Sequence, residues 1–387
     1  MRTEFFIFFG FASVIGGIIY YHSAKRTIEA ILPGRFFRIV LRGVFLFLFL
    51  SLILQFISWN WKTFPFRGPY VAWPGYMGFG AASLLFTFFL ARDFLKFACR
   101  PALSTKIGAL VYKVIASQIA GRSILVIVLI LFVYGFYETS RQPDVVNVDI
   151  PVKGLHPDLE GLKIVQLSDV HVGPTIRRPE IERLVTAVNT LKPDIIAITG
   201  DLIDGTVADL SYHAQPLQNL RSHYGTFFVT GNHEYYFKPE EWIAELKGIG
   251  MQVLLNEYRV IKHKDAQLIV GGVTDYQAER YAMSHKSNPS AASGVSVSAD
   301  FRLLLAHQPR SIFLVKDHLF QLILTGHTHG GQYFPATILV RFFQPFYPGL
   351  IQYNGGWIYI NRGTGYWGPP LRIGSPSEIT CFTLKRL

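Results

Sequence analysis

Cysteine is almost missing from this chain: Cys99 and Cys381 are its only two. So far apart, they supply neither a disulfide framework nor a zinc–thiolate site. Charge is scarce as well. Only 16% of the 387 residues are charged while 50% are hydrophobic, which excludes an ordinary soluble enzyme. Acids are the scarcer sign, 26 against 37 Lys and Arg, leaving a formal net charge of +11. Such an excess can mark a nucleic-acid binder. Here much of it lies in short loops beside apolar segments, so nucleic acid is not an expected partner.

Long apolar runs are what the chain has in quantity, and they crowd its first third. They cover 5–21, with Gly10, Gly16 and Gly17 inside; 43–59, rich in Leu and Phe; 71–91, with Trp73, Pro74 and Tyr76 near its start; and 117–137. About 20 apolar residues cross a bilayer. The pattern therefore predicts a transmembrane region of about four helices over 1–140 and a globular domain over 141–387. A cleaved signal peptide is the alternative for 5–21, but its basic start is weak, with Arg2 offset by Glu4, and three further runs follow. Orientation follows from basic residues. Lys25, Arg26, Arg35, Arg38 and Arg42 separate the first two runs, and Arg92, Lys96, Arg100, Lys106, Lys113 and Arg122 the last two. Only Lys62 and Arg67 lie between the second and third. The prediction is a multi-pass integral membrane protein with its globular domain on the outer, periplasmic face.

Beyond 141 the texture changes. Residues 164–167 form an apolar run that stops at Ser168-Asp169-Val170-His171, and residues two apart on an extended chain point to one side. Helical periodicity over 179–191, with Ile181, Leu184, Val185, Val188 and Leu191 on one stripe, leads to a second strand, 195–199. Strand, helix, strand implies parallel strands joined by a crossover. The second strand ends at Gly200-Asp201-Leu202-Ile203-Asp204, a third (226–230) at Gly231-Asn232-His233-Glu234, a fourth (301–306) at His307, and a fifth (322–325) at Gly326-His327-Thr328-His329-Gly330-Gly331. Ligands of open α/β sheets gather beyond the carboxyl ends of strands. Carboxylate, imidazole and amide oxygen suit divalent Mn, Fe or Zn. Seven such groups are too many for one ion and suit two ions sharing a carboxylate, an arrangement commonly used to attack phosphorus.

In this order, Asp169-X-His171, Gly200-Asp201-X-X-Asp204, Gly231-Asn232-His233-Glu234, His307 and Gly326-His327-X-His329 resemble the calcineurin-like metallophosphoesterases over 163–332. The longer strings Gly-His-Thr-His-Gly-Gly-Gln and Arg-Gly-Thr-Gly-Tyr-Trp-Gly-Pro-Pro, the latter starting at Arg362, look like the membrane-attached, YkuE/YaeI-like branch. That branch includes the transmembrane protein with metallophosphoesterase domain. The resemblance implies an α/β fold, a four-layer α/β/β/α sandwich behind the membrane helices. It assigns Asp169, His171 and His329 to one metal, Asn232, His307 and His327 to the other, and Asp201 to both. His233 matches the catalytic histidine, and Asp204 falls where some relatives orient it. The expected activity is hydrolysis of a phosphate ester or pyrophosphate, with a lipid-linked phosphate among the substrates considered, by a hydroxide bridging the two ions. The partners are then the bilayer and a phosphorylated small molecule or lipid. A non-catalytic membrane receptor or scaffold of the same fold is the rival reading.

Other residues have blander explanations. Glu234 reads as structural, Asp275 as a group behind the ligands, and Arg362 and Arg372 as either phosphate contacts or ion-pair partners. His213, His223, His263, His285 and His318 lack a strand-tip setting.

Overall fold

The computed structural model describes residues 2–32, 34–60, 68–316 and 318–387. Lys62 and Arg67, which bear on orientation, lie outside them. Two compact units emerge: Met1–Tyr137 with Gly368–Leu371, and Glu138–Trp367 with Arg372–Leu387.

The first unit is helical: α1 (Arg2–Ile31), α2 (Arg35–Asn60), α3 (Pro69–Ala98), α4 (Lys106–Ala116) and α5 (Gln118–Ser140). The predicted spans 5–21, 43–59 and 71–91 fall within α1, α2 and α3, and 117–137 starts one residue ahead of α5. Three helices among the described residues, over Arg35–Ser58, Pro69–Ala98 and Gln118–Ser140, are long and apolar enough to cross a membrane. Small residues let α2 and α3 approach closely, as bilayer helices do in the absence of a hydrophobic drive between them. A Cβ on Gly75 would stand 2.9 Å from the Leu52 nitrogen, and one on Gly78 2.7 Å from Leu48. Counted by its charges, 106–116 belongs to a basic loop, yet it forms α4. Its Ile107, Leu110 and Val114 are exposed while Thr105 caps it by accepting from the Gly108 N–H, and a three-to-four residue spacing of this kind makes an amphipathic helix.

The second unit holds two six-stranded sheets. Its elements are β1 (Asp144–Val152), β2 (Lys163–Leu167), α6 (Arg178–Thr190), β3 (Ile195–Ile198), α7 (Val207–Ala214), β4 (Thr226–Phe228), α8 (Asn232–Tyr236), α9 (Pro239–Gly248), β5 (Gln252–Val253), β6 (Glu257–His263), β7 (Ala266–Gly272), α10 (Pro289–Ala292), β8 (Phe301–Leu305), β9 (Leu322–Thr325), α11 (Ala336–Phe343), β10 (Gly349–Tyr353), β11 (Gly356–Ile360) and β12 (Glu378–Arg386). One sheet runs β1-β12-β2-β3-β4-β5 and the other β10-β11-β9-β8-β7-β6. In the first, β2, β3, β4 and β5 are parallel and β12 lies antiparallel to β2. In the second, β7, β8, β9 and β11 are parallel.

Alternation along the strands sorts their side chains onto two faces. Ile164, Ile195, Phe227 and Phe382 of the first sheet share one buried cluster with Leu268, Leu303 and Leu324 of the second. The outer face of the second sheet, through Leu304, Ile323 and Ile358, packs on Ala292 of α10 and on Ile312. The helix α6 buries Ile181, Leu184, Val185 and Val188, the stripe its periodicity predicts. The expected mixed α/β double sheet is therefore present. Its five motif strands divide between two sheets, β2, β3 and β4 in one and β8 and β9 in the other.

Candidate metal centre

The strand tips do not fray apart. Beyond their last ladder bonds, the chains after β2 and β3 continue side by side: the N–H groups of Asp169 and His171 donate to the carbonyls of Gly200 and Asp201, and that of Asp204 donates to Val172. Val172 and Ile203 form an isolated parallel bridge. Glycine lets the tips close on one another. A Cβ on Gly231 would lie 2.2 Å from Oδ1 of Asp201, and one on Gly326 1.9 Å from Oγ of Ser168.

Five of the seven predicted ligands occupy left-handed backbone: Asp169 (φ 53°), His171 (54°), Asp201 (48°), His327 (69°) and His329 (49°). Each costs roughly 1 kcal/mol or more for a residue bearing a Cβ. Such strain persists where the surroundings over-determine it, and it clusters at functional sites. Here the turns aim carboxylates and imidazoles back across the tips.

The side chains meet in three overlapping groups: Asp169, His171 and His329; His171, Asp201 and His233; and Asp201, His307 and His327. Within each, the ligand atoms lie within 4.8 Å of one another. Asp201 therefore belongs to two groups and joins the first sheet's tips to the second's. Asn232 completes the third, its Oδ1 lying 3.2 Å from Nε2 of His307. All nine predicted site residues are buried except His327, which is partly exposed.

The donor set fits divalent cations. Nδ1 of His307 lies 2.8 Å from the Thr199 carbonyl, which can only accept. A neutral His307 therefore presents its Nε2 lone pair to Oδ2 of Asp201 at 3.1 Å, Oδ1 of Asn232 at 3.2 Å and Nδ1 of His327 at 3.2 Å. The Asn232 amide donates to the Tyr236 hydroxyl, which leaves its oxygen facing His307. Burial disfavours the His307 imidazolium, but Asp201 outweighs it and holds that group well above its ordinary value, so this gap draws positive charge, whether a proton or a metal cation. Similarly, Nδ1 of His171 donates to Asp204, and its Nε2 faces Nε2 of His329 at 3.0 Å.

Charges in the cluster push on one another. Burial disfavours the Asp204 carboxylate, but the imidazoles of His171 and His233 outweigh burial and hold it below the ordinary carboxylate range. Burial alone would depress His233, and Asp201 with Asp204 raises it to about 9 instead. Burial, then His171 and Arg372, keeps His329 well below the usual imidazole value, in the unprotonated form a ligand requires.

Of the supporting groups, Ser168 carries no signal in the linear sequence. Ser168 Oγ donates to Oδ2 of Asp169 at 2.5 Å. Glu234 does serve structure, as expected: its carboxylate accepts from the N–H groups of Asp201, Leu202 and Gly231, pinning the tip of β3 to that of β4. Asp275 accepts from Gln308, the neighbour of His307. Arg362 pairs with Glu378 at 3.2 Å. Arg372 is buried and donates to the carbonyls of Arg362, Gly363, Gly365 and Ser375, and its Nη2 lies 3.2 Å from Nδ1 of His329. The guanidinium is thus taken up behind the site. The five histidines that lack a strand-tip setting belong to none of the three groups.

A family model for calcineurin-like phosphoesterases matches residues 162–331, the interval from β2 to the last turn of the site. An uncharacterized metallophosphoesterase of Campylobacter jejuni is 32% identical over 395 residues, covering 98% of this chain and 99% of that protein. This chain belongs to the metallophosphoesterase family. The metallophosphoesterase is also 39% identical over 274 residues to the Danio rerio transmembrane protein with metallophosphoesterase domain. That alignment covers 68% of this chain and 62% of the zebrafish protein, so this chain spans about three fifths of that relative's length. The Bacillus subtilis metallophosphoesterase YkuE is 30% identical over 238 residues, 58% of this chain and 80% of that protein.

Proposed function

We propose that this metallophosphoesterase is an integral-membrane, metal-dependent hydrolase that cleaves a phosphate ester or pyrophosphate bond. The observation that carries the reading is the place of Asp201, whose carboxylate is shared between the group containing His171 and the group containing His307 and His327. In this reading Asp169, His171 and His329 would hold one divalent ion, Asn232, His307 and His327 a second, and Asp201 both. Mn, Fe and Zn all suit the donors. Bound there, the ions would supply an activated water as nucleophile and positive charge for the phosphoryl oxygens.

The chain's own residues do the rest. Nδ1 of His233 is held by Oδ1 of Asp204 at 2.6 Å, which leaves Nε2 directed into the site, 3.8 Å from Oδ2 of Asp201. A buried carboxylate behind an imidazole favours the imidazolium, the form that gives a proton to a leaving oxygen. The rings of Tyr236 and Trp367, with centroids 5.0 and 5.8 Å from that of His233, wall the proton donor from bulk water.

The bilayer and a phosphorylated small molecule or lipid are the partners in this reading. The hydrolase domain would occupy 141–387 and face the outer side, as the basic bias around the apolar helices suggests. The test uses the full chain in detergent with Mn(II), offered a phosphomonoester, a phosphodiester and a lipid pyrophosphate. Turnover of one of these with about two ions bound is expected. Two bound ions with no turnover of any would leave the non-catalytic receptor or scaffold.

A further inference from the structure

The metal site's last turn runs directly into an apolar surface that water does not suit. In α11, Ile338 is 51% exposed, Leu339 47%, Phe342 77% and Phe343 69%, and none of its residues is buried. Their spacing puts them on one stripe of the helix. The stripe continues onto neighbouring chain. Arg310 donates to the Phe343 carbonyl at 3.1 Å, and exposed Phe313 stacks on Phe346 with ring centroids 6.1 Å apart. Elsewhere on this unit, exposed Tyr236 and Tyr281 pack ring to ring with centroids 5.9 Å apart, but on no comparable helical stripe.

We infer that α11 with Phe313 is a membrane-docking face that lies in the headgroup region of an anionic leaflet. Three observations favour a bilayer over any other occupant. The chain carries helices able to cross a membrane, so a bilayer is the surface to which this unit is tethered, and the inference rests on that reading of the helices. The rim is cationic: Arg310 and Arg341 are both exposed, and 335–347 contains no Asp or Glu. Anionic headgroups complement such a rim. A second copy of the same face would set like charges against each other, since a two-fold interface pairs a patch with itself. The composition, with aromatic and aliphatic side chains on one face and basic residues beside them, is that of an interfacial helix.

Docking at this place has a consequence for the site. Gly331 ends the turn that carries His329, and a Cβ there would meet the Ala336 carbonyl at 2.3 Å. The start of α11 is therefore pressed against that turn, and a leaflet holding α11 brings phosphates at headgroup depth to the strand tips.

The test places an environment-sensitive fluorophore on the full-length protein. Phe342→Cys, and separately Tyr212→Cys as the control, are made with Cys99→Ser and Cys381→Ser, and the protein is reconstituted in phosphatidylcholine vesicles with and without phosphatidylglycerol. The expected result is blue-shifted emission at position 342, quenched several-fold more by bromine-labelled acyl chains than emission at 212. Arg310→Gln with Arg341→Gln should weaken that quenching only where phosphatidylglycerol is present. Equal quenching at 342 and 212 overturns the inference. So does self-quenching at 342 that disappears on dilution into empty lipid, because that result assigns the face to a second copy. Neither readout depends on turnover, so failure of the hydrolase reading would be seen separately. Alkaline extraction of the same vesicles reports whether the helices span.

Discussion

Asp204 holds His233 through a single oxygen, Oδ1, which accepts from Nδ1 at 2.6 Å. The same oxygen accepts from Nδ1 of His171 at 3.0 Å. One carboxylate therefore orients a candidate proton donor and a candidate metal ligand together, where the sequence motif implies a single oriented neighbour. Replacing Asp204 should then disturb metal binding as well as chemistry.

For Asp204→Asn, the expected outcome is a fall in turnover together with about 10- to 100-fold weaker metal binding, the usual cost of losing a group that orients a ligand. Calorimetric titration of metal into the stripped protein, beside steady-state rates, checks it. Lower turnover with unchanged metal affinity would show that the contact to His171 carries no weight.

Asp201→Ala should be harsher. Its carboxylate is common to two of the ligand groups, so bound metal should drop from about two ions per chain to one or fewer, and activity should vanish with it. Elemental analysis of the purified variant reads the stoichiometry. Full metal content with full activity would remove Asp201 from its bridging role.

Gly326→Ala is the smallest damaging change on offer. The added methyl carbon would stand 1.9 Å from Oγ of Ser168 and 2.3 Å from Oδ2 of Asp169. Both must move, and Asp169 with them. The expected result is loss of the ion held by Asp169, His171 and His329 while the other is retained, visible as a halved metal content in a protein whose circular dichroism is unchanged.

Arg372 tests the frame behind the ligands. Its guanidinium satisfies four backbone carbonyls within buried surroundings. Arg372→Met takes the guanidinium from the Arg362, Gly365 and Ser375 carbonyls, while that of Gly363 still accepts from the Glu378 N–H, and each unsatisfied buried group costs about 1–3 kcal/mol. A lowered denaturation midpoint is therefore expected, even in metal-free protein. Arg372→Lys should rescue little, because an ammonium lacks the planar fork that reaches several carbonyls at once. Equal stability of Arg372→Met and the parent would overturn this account.

Much of this protein is legible in its local chemistry. The apolar runs mark the helices because length and hydrophobicity, which fit a helix to cross a bilayer, are quantities a linear chain displays. Asp169, His171, Asp201, Asn232, His233, His307, His327 and His329 announce themselves as polar tips on buried strands, since a strand's end and its side-chain period are both local properties. Relations between distant segments are not displayed in this way. Strand β12 inserts between β1 and β2, and no periodicity reveals a register set by pairing across more than 200 residues. The sharing of Asp204 between two imidazoles depends on the chains after β2 and β3 running on together past their strands. By residue type Arg372 suits a phosphate contact or an ion pair, and only the closed loop of carbonyls around it assigns it to the frame. For the apolar stripe of α11, packing alone decides whether it faces a core or solvent. Residue type and spacing settle what a segment can do. Which groups stand within bonding distance is settled by the whole chain, because contact energies between remote residues exist only once both are folded into place.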